Sequence, residues 1–177
     1  WKKGAFSQKE EKAAMTEHDK EPLPPCLIFI DKEGHWYHQG AEMVHREFIR
    51  LFYKNMELDS QGRYVILWNG KRCQVEVEDT AFVVWRVQYL DGVGAQGARF
   101  ILTLSDESEE TLAPETLFIG AANVLYCRVK KGAFPARFCR AAYYQIAQYV
   151  VEEEGGFFLP LGDRRYPITE ASFSCPT

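Results

Sequence analysis

The fold is decided by the stretch Gly34-His35-Trp36-Tyr37-His38-Gln39-Gly40 and the segment that follows it, Arg46-Glu47-Phe48-Ile49-Arg50-Leu51-Phe52-Tyr53. The first stretch is aromatic and bounded by glycines, which is typical of a short strand between turns. Around the second, apolar residues recur at the i, i+4, i+7 and i+8 spacing of one helix face. We expect that face to be the buried one, with Val44, Phe48, Leu51 and Phe52.

The segments around this centre predict strands. The apolar run at residues 26–30 predicts a buried strand. Asn69-Gly70 supplies the two positive φ angles that a two-residue hairpin requires, so residues 64–68 should pair with residues 71–78. Residues 81–90 and 98–104, rich in β-branched and aromatic side chains, predict a longer hairpin. The acidic stretch that follows, at residues 105–114, is expected to be exposed.

The last third of the chain predicts another strand, a helix and a hairpin. Residues 125–130 predict the strand, and Pro135 suits the first turn of the helix, where its missing N–H is not needed. The hairpin is expected around Gly162-Asp163, and residues 169–177 are expected to form a loose tail. The apolar stripe of this second helix would be Phe138, Ala142, Ile146, Tyr149 and Val150.

The two predicted helices share a sequence echo. Phe48-Ile49-Arg50 with Tyr53 recurs at the same spacing as Phe138-Cys139-Arg140 with Tyr143. The echo leaves open a divergent strand–helix–strand duplication or a chance match. The predicted fold class is α+β, with mixed, mainly antiparallel sheets and two main helices. The predicted organisation is a flexible arm (1–25), a first half (26–115), a second half packed on it (116–168) and the tail.

The composition is that of an ordinary globular protein. The 177 residues are 46% hydrophobic and carry a formal net charge of −4, which argues against a basic nucleic-acid binder. No apolar run approaches the roughly 20 residues of a membrane-spanning helix. We therefore expect a soluble, cytoplasmic protein without nucleic-acid or membrane partners. Because the chain begins with Trp1 rather than Met, we expect it to be a fragment or a processed chain.

The cysteines and glycines predict no cofactor or metal site. Five cysteines without a C-x-x-C pair fit neither a disulfide framework nor a zinc cluster, so we expect reduced thiols. Cys139, beside Arg140, comes nearest to the cationic surroundings of a reactive thiol. Residues 92–97, Gly-Val-Gly-Ala-Gln-Gly, match the dinucleotide fingerprint in letters. Because a strand rather than a helix should follow, we interpret them as a hairpin loop.

A set of spaced motifs extends over residues 27–168. It consists of Gly34-x-Trp36-x-x-x-Gly40, Arg46, Arg50-Leu51-Phe52, Gly62-x-Tyr64, Val77-Glu78-Asp79-x-x-Phe82-Val83, Arg128-Val129, Gly132, Ala136-Arg137-Phe138, Arg140 and Tyr143-Tyr144. The set resembles the bacterial family called domain of unknown function 1285. The resemblance implies a mixed α+β fold of repeated motifs and a suggested part in signalling or ligand binding, without an assigned activity. The chain departs from the family pattern at Ala81, where relatives tend to have Pro.

The candidate ligand-binding residues are two carboxylates and four arginines, namely Glu78, Asp79, Arg46, Arg50, Arg137 and Arg140. The carboxylates follow a predicted strand between apolar runs, where they must be solvated, capped or paired. Two arginines stand four apart on the first predicted helix and two stand three apart on the second. The set predicts either a structural salt-bridge network or a pocket in which an arginine is left for an external phosphate or carboxylate.

Three functional hypotheses follow. The leading one is a non-enzymatic binding module in bacterial signalling that engages a protein or a small acidic ligand through an aromatic and arginine-bearing face. The alternative is a small-molecule sensor or enzyme whose cleft holds Glu78 or Asp79 beside an arginine; salt bridges at both carboxylates would argue against it. The third is a self-associating structural protein. The aromatic residues that could contact a protein partner are Trp36, Tyr37, Trp68, Trp85, Tyr143 and Tyr144. We expect most of them to be core or half-buried.

Overall fold

A computed structural model describes residues 23–92 and 97–171. This part of the chain forms two α-helices and two large, mainly antiparallel sheets. The predicted α+β fold class is therefore confirmed. The predicted arm up to residue 22, the centre of the glycine-rich loop (93–96) and residues 172–177 of the predicted tail lie outside the described residues.

The first sheet has six strands: β1 (Pro25–Ile30), β2 (Trp36–His38), β3 (Ala41–Glu42), β4 (Met56–Leu58), β5 (Tyr64–Trp68) and β6 (Lys71–Val77). Their spatial order is β3-β2-β1-β6-β5-β4, and a helix, α1 (Arg46–Lys54), connects β3 to β4. β1 lies antiparallel to β2 and parallel to β6. The two central strands, β1 and β6, are thus far apart in the sequence. Each outer strand is joined to a neighbour by a short connection.

The second sheet has nine strands: β7 (Phe82–Leu90), β8 (Arg99–Leu104), β9 (Glu109–Thr111), β10 (Phe118–Ile119), β11 (Leu125–Val129), β12 (Phe134–Phe138), β13 (Val151–Glu153), β14 (Gly156–Leu161) and β15 (Arg164–Glu170). Their order is β13-β14-β15-β10-β11-β12-β7-β8-β9, with β7–β12 and β10–β15 as parallel pairs. The second helix, α2 (Arg140–Ala147), connects β12 to β13 and packs on β7. The expected division at residue 115 falls inside this sheet; the chain passes between the sheets at residues 78–81.

One hydrophobic core joins the two sheets, because a single cluster of buried side chains contains residues of both. Aromatic rings make the junction. Tyr53 of α1 lies 4.8 Å from the ring of Phe82, and Phe82 lies 4.9 Å from that of Phe134. Tyr64 of the first sheet also stacks on Phe134, with the ring centroids 6.5 Å apart. The cleft described below lies beside this junction.

The buried side of α1 agrees with the predicted one only at Phe52. Tyr53 is buried, Ile49 and Phe52 are half-buried, and Tyr53 packs against the indole ring of Trp36. Apolar residues cover more than one side of this helix, so periodicity alone did not indicate which side meets the sheets. The predicted core residues that are instead exposed are Val44, Phe48 and Leu51.

The second helix begins later than predicted. Pro135 lies in β12, where pairing with β7 starts only at Ala136, so its missing N–H costs no hydrogen bond to that neighbour. α2 starts after Cys139, whose sulfur accepts the backbone N–H of Ala142 at 3.5 Å. The two members of the predicted repeat therefore occupy different elements, since Phe48 lies in a helix and Phe138 at a strand end. α2 ends at Ala147, before the last two residues of its predicted stripe.

Two predicted loops are ordered parts of the second sheet. In the stretch expected to be exposed, Ser105 is buried and residues 109–111 form β9. In the expected tail, Thr169 and Glu170 belong to β15 and pair in parallel with β10. The three-residue strands β4, β9 and β13 were not predicted, because so few residues carry no readable alternation.

Cys26 and Cys73 form a disulfide, which corrects the expectation of reduced thiols throughout. They lie on the neighbouring strands β1 and β6. Among the described residues Cys127 and Cys139 carry free thiols, and burial raises the pKa of the Cys127 thiol. Neither α-helix in the described ranges has the length and apolar character needed to span a bilayer.

Candidate functional site

The structure does not bring the six predicted site residues together. Asp79 pairs with Arg137, Glu78 pairs with Lys32, and the two arginines of α1 pair with a carboxylate that the sequence did not suggest. Arg140 lies apart from all of them, with its Cζ atom 5.8 Å from the centroid of the Tyr144 ring. These contacts define separate places on the molecule.

Asp79 belongs to a mostly buried structural network. Arg137 Nη1 donates to Asp79 Oδ2 at 2.8 Å, and the hydroxyl of Tyr126 donates to the same oxygen at 2.9 Å. The backbone N–H of Arg137 donates to the hydroxyl of Thr80 at 3.1 Å. Arg137 lies on β12 rather than on the predicted helix, so this network ties the connection between the sheets to β11 and β12.

Glu78 is held at the surface. The backbone N–H of Lys32 donates to Glu78 Oε2 at 3.0 Å, and the ammonium group of Lys32 lies 3.7 Å from Oε1. Both predicted carboxylates therefore take part in salt bridges, and neither faces the arginines of α1. The arrangement matches the structural interpretation of Glu78 and Asp79 rather than a cleft with an unpaired carboxylate.

Arg46 and Arg50 share one carboxylate, that of Glu107. Arg46 Nη1 lies 2.6 Å from Glu107 Oε1, and Arg50 Nη2 contacts Oε2. The four-residue spacing places both guanidinium groups on one side of α1, as predicted. Because one carboxylate carries a single negative charge, this trio keeps a net positive charge, and the arginine side chains are 64% and 51% exposed.

The turn after β8 places Glu107 opposite the helix. The carboxylate of Asp106 accepts the backbone N–H of Ser108 at 3.1 Å and its hydroxyl at 2.7 Å. Glu107 itself has φ 64°, in the left-handed region that costs a non-glycine residue roughly 1–2 kcal/mol. The acidic Ser-Asp-Glu-Ser sequence is typical of a turn. Its contact with α1 could not be predicted, because that contact depends on how the two sheets pack.

A cleft of about 200 Å³ lies between α1, the turn at residues 31–35 and the turn after β8. Besides the two arginines, its walls include His35, Ile49 and Trp85. Trp85 lies at a bulge of β7, where the register with β8 shifts, and its indole N–H donates to the carbonyl of Glu33 at 3.0 Å. Bulges redirect side chains, and this one presents an aromatic surface to the cleft.

The turn at residues 31–35 requires glycine at position 34. Gly34 has φ 87°, and an added Cβ would lie 2.9 Å from the Cβ of Ser105. Asp31 organises the turn by accepting the backbone N–H groups of Glu33 and His35 at 2.9 and 2.8 Å. Burial raises the pKa of Asp31, but hydrogen bonds from His35 and Glu33 outweigh it, so the pKa lies below its usual value.

A buried hydrogen-bond chain supports the cleft from behind. The backbone N–H of Val83 donates to Ser105 Oγ at 3.1 Å, and Ser105 Oγ lies 2.8 Å from the hydroxyl of Tyr53. That hydroxyl donates to the carbonyl of Ala81 at 2.9 Å. Burial raises the pKa of Tyr53 to about 12. The chain fixes α1, and with it the arginine pair, to β7 and to the turn after β8.

A second cavity, the apolar groove, lies on the other side of α1 and has a volume of about 620 Å³. Its walls are mainly apolar and aromatic, including Phe48, Phe52, Trp68 and the Cys26–Cys73 disulfide.

The aromatic residues that the sequence suggested for protein contacts differ in how exposed they are. Trp36 is buried, Tyr37 and Trp85 are half-buried, and three are exposed, namely Trp68, Tyr143 and Tyr144. Within residues 23–92 and 97–171, no cluster of His, Cys, Asp and Glu could hold a metal ion.

Two solved structures share this fold, and both are described as DUF1285 family proteins. The protein from Silicibacter pomeroyi DSS-3 superposes with a TM-score of 0.68 at 19% identity, over 85% of each chain. The protein from Shewanella baltica OS155 has a TM-score of 0.56 at 15% identity, over 69% of this chain and 91% of its own. Both likenesses support the family resemblance suggested by the sequence motifs. No family model and no curated protein matches the chain.

Proposed function

We propose that this protein is a non-enzymatic binding module in bacterial signalling whose site for a small acidic ligand is the cleft beside Arg46 and Arg50. The observation that carries the proposal is the sharing of one carboxylate by two exposed guanidinium groups. Arginine binds carboxylates and phosphates through paired N–H groups, so an external anion can make the contacts that Glu107 makes now. The role in signalling rests on the family resemblance.

The cleft favours a ligand with a small body. Its volume of about 200 Å³ suits a few carbon atoms or a phosphate group. Ile49 and Trp85 supply apolar lining and the two arginines supply positive charge. The carboxylates of Glu42, Asp106 and Glu107 also line the cleft. We expect small carboxylates or phosphates to displace the Glu107 side chain.

What supports binding rather than catalysis is the state of the candidate acid–base groups. Glu78 and Asp79 are salt-bridged away from the cleft. His35, which does line it, has its Nδ1 atom 3.1 Å from a carboxylate oxygen of Asp31. A general base needs access to the proton that it takes, and Glu78 and Asp79 lack that access because both are salt-bridged outside the cleft. The contact at His35 Nδ1 involves one ring nitrogen only, so the support comes from the two carboxylates. The enzyme or sensor alternative with a carboxylate cleft therefore receives less support.

The test is a thermal-shift series with inorganic phosphate and with small mono- and dicarboxylates. A ligand at about 100 times its dissociation constant adds about 2.7 kcal/mol of stability. Arg50→Gln should abolish the shift, and Glu107→Gln should enlarge it because the internal competitor loses its charge. Arg165→Gln is the matched control, since Arg165 forms an exposed pair with Glu153 at 2.6 Å.

The opposite signs expected for Arg50→Gln and Glu107→Gln separate a ligand site from a structural ion pair, in which both changes would act only on stability. The absence of a shift for the wild type and for Glu107→Gln with every probe would contradict the proposal. So would a shift that persists in a folded Arg46→Gln/Arg50→Gln variant, because another surface would then bind the anion.

A protein partner is the second candidate. The observation that favours it is the exposure of apolar residues on the other side of α1, including Phe48 and Trp68.

A further inference from the structure

The segment that leads into α1, the outer side of α1 and the end of β5 form an exposed apolar surface, which we call the α1 face. It consists of Val44, Phe48, Leu51 and Trp68, exposed by 72%, 53%, 36% and 39%. The apolar groove opens beside it, with Ile28 and Ile66 among its lining residues. Contiguous apolar surface of this kind on a small protein marks a contact site.

The charges around the α1 face have opposite signs at its two ends. Glu42 and Glu47 lie at the end where α1 begins. Lys54 lies in the last turn of α1, and Lys71 is the cross-strand partner of Trp68, so its side chain is on the same side of the sheet. None of these four has an ion-pair partner among the described residues. The surface is therefore acidic at one end, apolar in the middle and basic at the other end.

We propose that the α1 face is the interface of a symmetric dimer of this chain. A twofold axis through the middle of the face sets the two α1 helices antiparallel and brings the acidic end of each copy to the basic end of the other. In such an isologous contact one patch meets itself, so it must be self-complementary, and a surface with opposite charges at its ends meets that requirement.

The groove supplies the shape that such a contact needs. In the antiparallel arrangement the exposed Phe48 of each copy faces the groove of the other. Aromatic side chains in fully desolvated pockets are the usual anchors of interfaces. The outermost strands of the two sheets, by contrast, are only two or three residues long and present few main-chain groups for pairing. The apolar spacing of Val44, Phe48 and Leu51 predicted a buried face. In the dimer these residues are buried against the second copy.

The first test is the molar mass in solution, measured on the full chain by sedimentation equilibrium over a wide concentration range without reductant. We expect association to twice the monomer mass of 20.4 kDa. Phe48→Glu should leave a folded monomer, checked by circular dichroism. Phe157→Glu is the matched control, since Phe157 of β14 is also an exposed aromatic residue but lies far from the α1 face in the sheet order.

The second test reverses charges. Lys54→Glu places acidic groups of the two copies opposite each other and should weaken association by about tenfold or more. Adding Glu47→Lys to this variant restores opposite charges and should restore association. A wild type that stays monomeric at all concentrations would overturn the proposal, as would a dimer that Phe48→Glu leaves intact. Anion binding beside Arg50 lies on the other side of α1, so Phe48→Glu should not affect it.

Discussion

The hydroxyl of Tyr53 is a buried connection between α1 and the second sheet, in addition to the exposed ion pairs with Glu107. It donates its proton to the carbonyl of Ala81 and accepts from the hydroxyl of Ser105, all in a buried environment. Tyr53→Phe leaves these two groups without their partner and should lower the free energy of unfolding by about 1–3 kcal/mol. Urea unfolding measures the change.

Tyr144→Phe is the control for this substitution, because Tyr144 is exposed on α2 and should be nearly neutral. Equal effects of the two substitutions would show that the buried hydroxyl network does not contribute to stability.

At the residue scale, the sequence identified one side of the candidate site but not the other. Arg46 and Arg50 could be predicted as a pair because helical spacing is local. Their partner Glu107 follows them by 61 and 57 residues, and its approach is set by the packing of two sheets. The same non-local packing explains why Asp79 met Arg137 rather than an arginine of α1.

At the element scale, the β5–β6 hairpin was predicted from its turn. Asn69 and Gly70 have φ angles of 49° and 74°, as the predicted turn requires. Gly70→Ala has space for the methyl group, so its cost is the left-handed backbone alone, about 1–2 kcal/mol. Thermal or urea unfolding measures the loss.

Gly97→Ala provides the matched comparison. An added Cβ there also meets nothing within 4 Å, and the residue does not have a positive φ. It should be neutral or stabilising by about 0.4–1 kcal/mol, because alanine restricts the unfolded chain. Similar losses at both positions would contradict the assignment of the cost to the turn.

Hairpins were predictable because both strands and their turn lie in one short segment. The β7–β8 and β14–β15 pairs were found for this reason. The second helix was extended wrongly because Pro135 is compatible both with a first helical turn and with the start of a strand's pairing. Whether Pro135 begins a helix or lies in a strand depends on where β7 starts to pair with β12. The local sequence around Pro135 does not contain that information.

At the scale of the whole molecule, the Cys26–Cys73 disulfide closes a loop with a sequence separation of 47 residues. The chain-entropy model predicts that a loop of this length adds about 4 kcal/mol. Reduction, or the Cys26→Ser/Cys73→Ser double variant, should lower the free energy of unfolding by about 2–4 kcal/mol. Urea unfolding with and without reductant measures this.

The double variant should not respond to the reductant, which makes it the internal control. A wild type whose unfolding curve is the same in both buffers would contradict the contribution of the disulfide. The pairing was missed because an odd cysteine count and the lack of a local pattern hide a bond between β1 and β6, two strands brought together by a parallel crossover.

This disulfide also changes what a backbone break does to the protein. Residues 26–73 form a covalent ring that contains α1, the arginine pair and the whole α1 face. A single proteolytic cut inside the ring opens the main chain without releasing a fragment, whereas a cut beyond residue 73 separates the chain into two pieces. The α1 face and the arginine side of the cleft are therefore carried on one segment that stays covalently connected after a nick, while Trp85 and Glu107 of the cleft lie outside it.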